Sequence, residues 1–208
     1  MNIEDEIKKY CVSRETFHKL TMFVSLLTEW NTRMNLVSKN SLADVWVRHV
    51  LDSLQLIKYV PETAKSFIDI GSGAGFPGVV LALALKEKLP AARMILVESI
   101  SKKAAYLNDV CSRIGVENTS IVNARIEDTK LNKVDVITAR AVADLDTLFQ
   151  YSFGFMKPDS KALFLKGRTY KEEMLQAQQK WQFDVIIHEN AYSDDGVILE
   201  ISNLRKRK

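Results

Sequence analysis

The chain has 208 residues, 47% of them hydrophobic and 26% charged, with a formal net charge of +3. That is one domain, or one domain with an extension, and long enough to bury a substantial core. The composition excludes disorder, which needs low hydrophobicity with high net charge, and collagenous or low-complexity chains, since Gly and Pro number only 8 and 4. The long apolar run Val79–Leu85 falls far short of the roughly 20 residues of a bilayer span, so no membrane association is expected. The opening Met1-Asn2-Ile3-Glu4-Asp5-Glu6 is acidic and lacks the basic and apolar regions of a secretory leader. Cys11 and Cys111 form no CxxC, and His18, His49 and His188 show no ligand spacing, so neither a disulfide framework nor a metal is expected. A cytoplasmic location follows as an expectation.

Residues 1–60 read as a helical extension. Phe17, Leu20, Val24, Leu27 and Trp30 recur at spacings of three and four, which is an amphipathic stripe. Ser41 followed by Asp44 resembles a capping box and is expected to open a helix that ends before Pro61. Residues 61–208 read as a single compact α/β core. Expected strands are 66–70, 94–97, 120–123, 134–138 and 162–166, alternating with helices over 78–86, 101–114 and 144–155. Ser101 is the expected N-cap of the second of these helices and Gly115 its stop. Such alternation argues for a parallel sheet. Two further runs, 182–189 and 196–203, flank Ser193-Asp194-Asp195-Gly196 and read as an antiparallel pair.

The first strand runs into Gly71-Ser72-Gly73-Ala74-Gly75-Phe76-Pro77-Gly78. A glycine-rich turn between strand and helix is where nucleotide-like cofactors bind. Two ligands fit the spacing. Gly73, Gly75 and Gly78 satisfy G-x-G-x-x-G, with Glu98 placed 20 residues later, as a nicotinamide dinucleotide requires. Gly71, Gly73 and Gly75 satisfy G-x-G-x-G, the loop of S-adenosylmethionine enzymes. Asp69 tilts the balance to the second, because a carboxylate near the loop would repel a pyrophosphate and attract a sulfonium and an ammonium. No Gly-Lys-Ser/Thr follows, which excludes a P-loop.

The chain resembles the bacterial 16S ribosomal RNA guanine-N7 methyltransferases of the small-subunit methyltransferase G family. The resemblance spans nearly its whole length. It rests on Trp30-Asn31, Asn35-Leu36, Arg48-His49-Val50-Leu51-Asp52-Ser53 and the segment Asp69–Gly78. It continues through Glu98-Ser99, Lys102-Lys103, Ala124-Arg125-Ile126-Glu127, Ala139-Arg140-Ala141 and Leu165-Lys166-Gly167.

The resemblance implies a Rossmann-like class I methyltransferase fold: a seven-stranded sheet ending in an antiparallel hairpin. It implies S-adenosylmethionine as cofactor and guanine 527 of 16S ribosomal RNA as target, within the small ribosomal subunit or its precursor. Asp69, Gly71, Gly73, Gly75, Phe76, Glu98, Ser99, Ile126, Glu127 and Arg140 are the expected cofactor residues. Glu98 takes the ribose, and Ile126-Glu127 the adenine. Arg140 is expected where cofactor and base meet, with Lys102, Arg125 and Lys166 completing the catalytic set by neutralising phosphates. Arg48, His49, Lys103 and Arg168 are further candidate RNA contacts. Lys102, Lys103, Arg125, Arg140, Lys166 and Arg168 all follow strand ends, so one basic rim is expected. The Arg48–His49–Asp52 group reads either as an i,i+4 Arg–Asp surface pair or as a cluster near the ligands.

Guanine N7 carries a lone pair and no proton, so direct attack on the methyl needs no general base. Neither an Asn/Asp-Pro-Pro-Tyr motif nor a Pro-Cys nucleophile is present. An oxidoreductase and a cofactor-sensing RNA-binding protein remain the alternatives at this point. The basic tail Arg205–Lys208 reads as a solvated terminus or as a phosphate contact, and no obligate protein partner is evident.

Overall fold

A computed structural model describes residues 2–207. Its sheet has seven strands: β1 Ser66–Ile70, β2 Arg93–Val97, β3 Thr119–Val122, β4 Val134–Arg140, β5 Met156–Lys166, β6 Trp181–Glu189 and β7 Val197–Lys206. Their order is β3-β2-β1-β4-β5-β7-β6. The first five are parallel, and β7 runs antiparallel to both β5 and β6. The chain order reverses between β1 and β4, so the crevice beyond their C-terminal ends is the ligand edge of such a sheet.

Side chains on a strand alternate between faces, and β1 shows what each face meets. Phe67 packs with the helices of the extension and with α5 (Gly78–Lys88) and α6 (Ser101–Arg113). Ile68 and Ile70 pack on the other face, with α7 (Leu145–Phe153) and the C-terminal strands. Ile7, Leu20, Phe23 and Leu27 of the extension belong to the same hydrophobic cluster as Val80 and Leu81 of α5. The extension therefore covers one face of the sheet.

Several boundaries differ from the sequence expectation for identifiable reasons. α2 spans Arg14–Asn31 as the stripe predicts, after a short α1 at Ile3–Lys8. Ser41, however, caps nothing. It lies inside α3 (Lys39–Ala43), and Ser38 is the N-cap, its hydroxyl accepting from the Ser41 amide. Both serines stand ahead of apolar residues, and the preceding turn selects the earlier one. The following helical run is not uniform. A π-helical turn at Trp46–Leu51 leads into α4 (Asp52–Leu54) and a 3-10 turn at Gln55–Tyr59. Ser101 is the first helical residue of α6, not its cap, because the Glu98 carboxylate accepts from the Ile100 amide at 2.8 Å and does the capping. Gly115 stops the helix with φ +66°. α8 (Tyr170–Ala177) has no counterpart among the expected helices. Arg205 and Lys206 of the basic tail end β7, and the Arg207 amide bonds the Lys180 carbonyl. Lys208 lies outside the described residues.

Candidate active site

The glycine loop leaves β1 with left-handed backbone at Gly71, Gly73 and Gly75. At Gly71 a Cβ would also lie 2.8 Å from Val142. Over this loop lies a cleft of about 470 Å³, lined by Leu36, Val37, Gly71, Gly73, Phe76, Glu98, Ile100, Lys103, Arg140 and Val142 among others. A narrower pocket of about 120 Å³ continues past Gly71 and Val142, walled by Ser99, Arg125, Ile126, Glu127 and Tyr151. Most of the expected cofactor residues thus lie along one trough across the ends of β1, β2, β3 and β4.

Local bonds explain why distant motif residues converge here. Asn31 Oδ1 accepts from the Leu36 and Val37 amides at 2.9 and 3.0 Å, fixing the backbone that lines the cleft. Trp30 Nε1 donates to Asp109 at 2.9 Å, tying α2 to α6. The Tyr106 hydroxyl donates to the Ala74 carbonyl at 3.1 Å and holds the loop from below. Glu98 is 5% exposed. Its Oε2 accepts from the Gly73 amide at 2.9 Å, so one carboxylate pins both the loop and the start of α6. Each oxygen retains a lone pair beyond these bonds, and Glu98 lines the cleft.

Asp69 requires a correction. It does not face the cleft. Alternation along β1 turns its side chain under α5, where it is fully buried. Oδ1 accepts from the Thr138 hydroxyl at 2.7 Å, and Oδ2 has no hydrogen-bond partner among the described residues. Burial pushes its carboxyl up to about 6. Asp69 braces β1 against β4, and the charge argument that enlisted it to choose between ligands does not hold. Gly78 has its reason here as well. A Cβ on it would lie 2.5 Å from Asp69 Oδ2, so the glycine is what lets α5 approach the strand.

Arg140 ends β4 at the mouth of the cleft. Its Nη1 donates to Asp52 Oδ2 and to the Arg48 carbonyl, both at 2.9 Å, and its Nη2 donates to His49 Nδ1. Of the two readings of Arg48–His49–Asp52, the surface pair gives way to the cluster: Asp52 pairs with Arg140, and all three line one cavity with it. Asp144, four residues on from Arg140, instead caps α7. The guanidinium lies 5.3 Å from the Phe76 ring centroid, and His49 stacks on the same ring at 4.9 Å. Because a guanidinium can only donate, His49 Nδ1 must carry its lone pair and Nε2 the proton. Burial and the charges of Arg140 and Arg48 lower the His49 pKa to about 3, so the ring is neutral.

Beyond Arg140 and His49 lies a second cavity of about 370 Å³, which shares those residues, Ser41 and Ala141 with the cleft over the glycine loop. Its other walls include Arg48, Asp52, Lys166, Glu173, Asn190 and Tyr192. Asp52 Oδ1 accepts from Asn190 at 2.6 Å and from Gln55 at 3.0 Å. Tyr192 is held by the Tyr10 hydroxyl at 2.7 Å. The extension and the β6–β7 connection thus build this cavity together.

The expected basic rim divides into unlike parts. Lys103 borders the cofactor cleft, Arg125 the narrow pocket and Arg48 the second cavity. Lys102 is exposed on α6. Arg168 is exposed and paired with Asp195 at 2.5 Å. Lys166 is not a free rim cation: it is drawn inward to Glu173 at 2.5 Å and to the Ala143 carbonyl at 2.8 Å. Glu173, Gln55, Asn190 and Tyr192 had no sequence motif to mark them. Among the described residues no group of His, Cys, Asp and Glu could hold a metal, and no helix is long and apolar enough to cross a membrane. Cys11 and Cys111 are both free.

Comparison with known proteins agrees with this architecture. The family described as rRNA small subunit methyltransferase G matches residues 16–198. A ribosomal RNA small subunit methyltransferase G of Chelativorans sp. strain BNC1 is 43% identical over 197 residues, covering 94% of this chain and 92% of that protein. Its counterpart in Rickettsia akari is 40% identical over 195 residues, covering 94% and 98%. Among solved structures, a ribosomal protein L11 methylase from Lactobacillus delbrueckii superposes with TM-score 0.60 at 16% identity, covering 74% of this chain and 78% of that one. An O-methyltransferase from Bacillus cereus in complex with SAH gives TM-score 0.59 at 14% identity, covering 87% and 90%. The fold is that of the Rossmann-like methyltransferases, and the chain belongs to the rRNA small subunit methyltransferase G family.

Proposed function

We propose that this methyltransferase methylates N7 of guanine 527 in 16S ribosomal RNA, within the small ribosomal subunit or its precursor. The observation that carries the reading is the shared wall. Arg140 and His49 border both the cofactor cleft and the second cavity, so a methyl donor and a nucleobase can meet across them.

S-adenosylmethionine, when bound, supplies an electrophilic methyl group. The residues present suit it. Glu98 faces the middle of the trough with acceptor capacity for a ribose diol, and Ile126 and Glu127 wall the narrow end for an adenine. Arg140 keeps its Nε–H and one Nη2–H for an anionic group or a base edge, and Lys103 adds a second cation at the cleft. The Nδ1 lone pair of His49 is already engaged, and the Asp52 and Glu173 carboxylates face cations. That arrangement offers no free general base, and N7 of guanine needs none. Rate then comes from alignment and exclusion of water. Lys102, Lys103, Arg125, Arg48 and Arg168 serve phosphates of the folded RNA, while Arg140 and Lys166 serve the transfer site.

Labelled methyl transfer tests the reading. The acceptors are free 16S rRNA and small subunits from cells lacking the enzyme, with the modified nucleotide mapped. The expected product is 7-methylguanosine at position 527. Methylation of another atom or another nucleotide would overturn the proposal.

A further inference from the structure

The far wall of the second cavity carries an ion pair whose carboxylate the transfer chemistry leaves unused. Lys166 ends β5 and Glu173 lies on α8. Their charged atoms are 2.5 Å apart, with the side chains only 10% and 15% exposed. The two oxygens of Glu173 differ. Oε1 accepts from the Thr169 hydroxyl at 2.9 Å, which fixes the carboxylate plane. Oε2 is buried against the Lys166 ammonium, which also donates to the Ala143 carbonyl. An ammonium has three donors and each carboxylate oxygen two lone pairs, so the pair keeps one N–H and further acceptor capacity for a ligand in the cavity that both side chains line.

A donor beside an acceptor is also a pattern. On the Watson–Crick edge of guanine, O6 accepts while N1–H and the 2-amino group donate. A lysine at O6 and a carboxylate along N1 and N2 match it in order. Adenine reverses the pattern, presenting an amino group to the lysine and a lone pair to the carboxylate. Enzymes that act on a base extrude it and read this edge in a pocket. Guanine O6 also lies between N1 and N7. A base held by its Watson–Crick edge at Lys166 and Glu173 therefore turns N7 away from that wall, towards Arg140, His49 and the cofactor cleft. We propose that Glu173, with Lys166, reads the Watson–Crick edge of the target guanine. This rests on the guanine-N7 reading above and assigns its base specificity.

The test exchanges one atom group on the RNA and one on the protein. Inosine retains O6, N1–H and N7 but lacks the 2-amino group. 16S rRNA is assembled by ligation with guanosine or inosine at the methylated position, and kcat/KM is measured on both. Loss of one hydrogen bond to a carboxylate lowers kcat/KM roughly tenfold or more, so wild type should disfavour inosine by that factor. In Glu173→Ala the two RNAs should react alike, both more slowly than wild type with guanosine. Glu173→Gln preserves size and the Thr169 bond, and should also erase the discrimination should the alanine variant fail to fold. Cofactor affinity by calorimetry should match wild type in each folded variant. An inosine penalty that persists in either variant, or its absence from wild type, overturns the assignment. If wild type methylates neither RNA, the guanine-N7 reading fails, and the assignment with it.

Discussion

The guanidinium of Arg140, at the end of β4, donates to the carboxylate of Asp52 on α4 across 88 residues of chain. The two side chains are 17% and 10% exposed, so this ion pair lies in a medium where losing one partner is expensive. Asp52→Ala should lower unfolding free energy by about 3 kcal/mol, read by urea denaturation. Arg140→Ala should retain cofactor binding but depress single-turnover methylation at saturating RNA and cofactor, by roughly a hundredfold, because misalignment costs rate steeply. A wild-type rate under those conditions would confine Arg140 to binding.

Glu98 holds the glycine loop by the Gly73 amide and the start of α6 by the Ile100 amide, and it lines the cleft. Glu98→Ala should thus lower both cofactor affinity and thermal stability. Charge-assisted hydrogen bonds contribute about 1.5–3 kcal/mol each, so affinity for S-adenosylhomocysteine should fall roughly ten- to hundredfold by calorimetry. A variant with lowered affinity but an unchanged melting temperature would mean that the loop does not depend on this carboxylate.

His49 gives a pH dependence whose sign follows from its environment. Its folded pKa is depressed from 6.5 to about 3 by burial and by Arg140. The unfolded chain therefore binds the extra proton first. Stability from this group is present above pH 6.5 and lost as pH falls from there towards 3. Asp69 acts in the opposite sense, since its folded pKa is raised from 3.8 to about 6: stability is lost as pH rises through that window. His49→Gln should remove the first slope and leave the second. Denaturation midpoints between pH 4 and 7 would show it, and an unchanged profile would mean that His49 titrates normally.

Gly78→Ala forces a methyl group into the contact between α5 and Asp69. It should destabilise by about 1–3 kcal/mol, the usual cost of overpacking. Gly154, whose Cβ would meet open space, should accept alanine almost without effect. Equal melting temperatures for the two variants would contradict the close approach.

The strands were readable in the sequence because each is a short apolar run bounded by turn residues, and β1, β6 and β7 fall within a residue or a few of expectation. The glycine loop was readable because its backbone demands are local. What escaped depends on distance or on facing. Whether Asp69 meets solvent or α5 is decided by which face of β1 the helix covers, and spacing alone does not say. The partner of Arg140 lies on an element 88 residues earlier in the chain, brought against it by the fold. Lys166 looked like a free rim cation because α8, which carries its counterion, went unread, and the Asn190 and Tyr192 contributions come from a connection with no motif at all.

The bonds that close the second cavity have an implication for synthesis. Asn190 reaches Asp52 across 138 residues, and Tyr192 reaches Tyr10 across 182. Contacts of such sequence separation form late, after the chain between them is available. During translation the extension emerges first, yet its side of the cavity stays open until nearly the last strand has left the exit tunnel. The cofactor trough draws only on residues 36 to 151, so it can assemble earlier. A nascent chain would hence close the trough before the second cavity, whose last contacts wait on Asn190 and Tyr192.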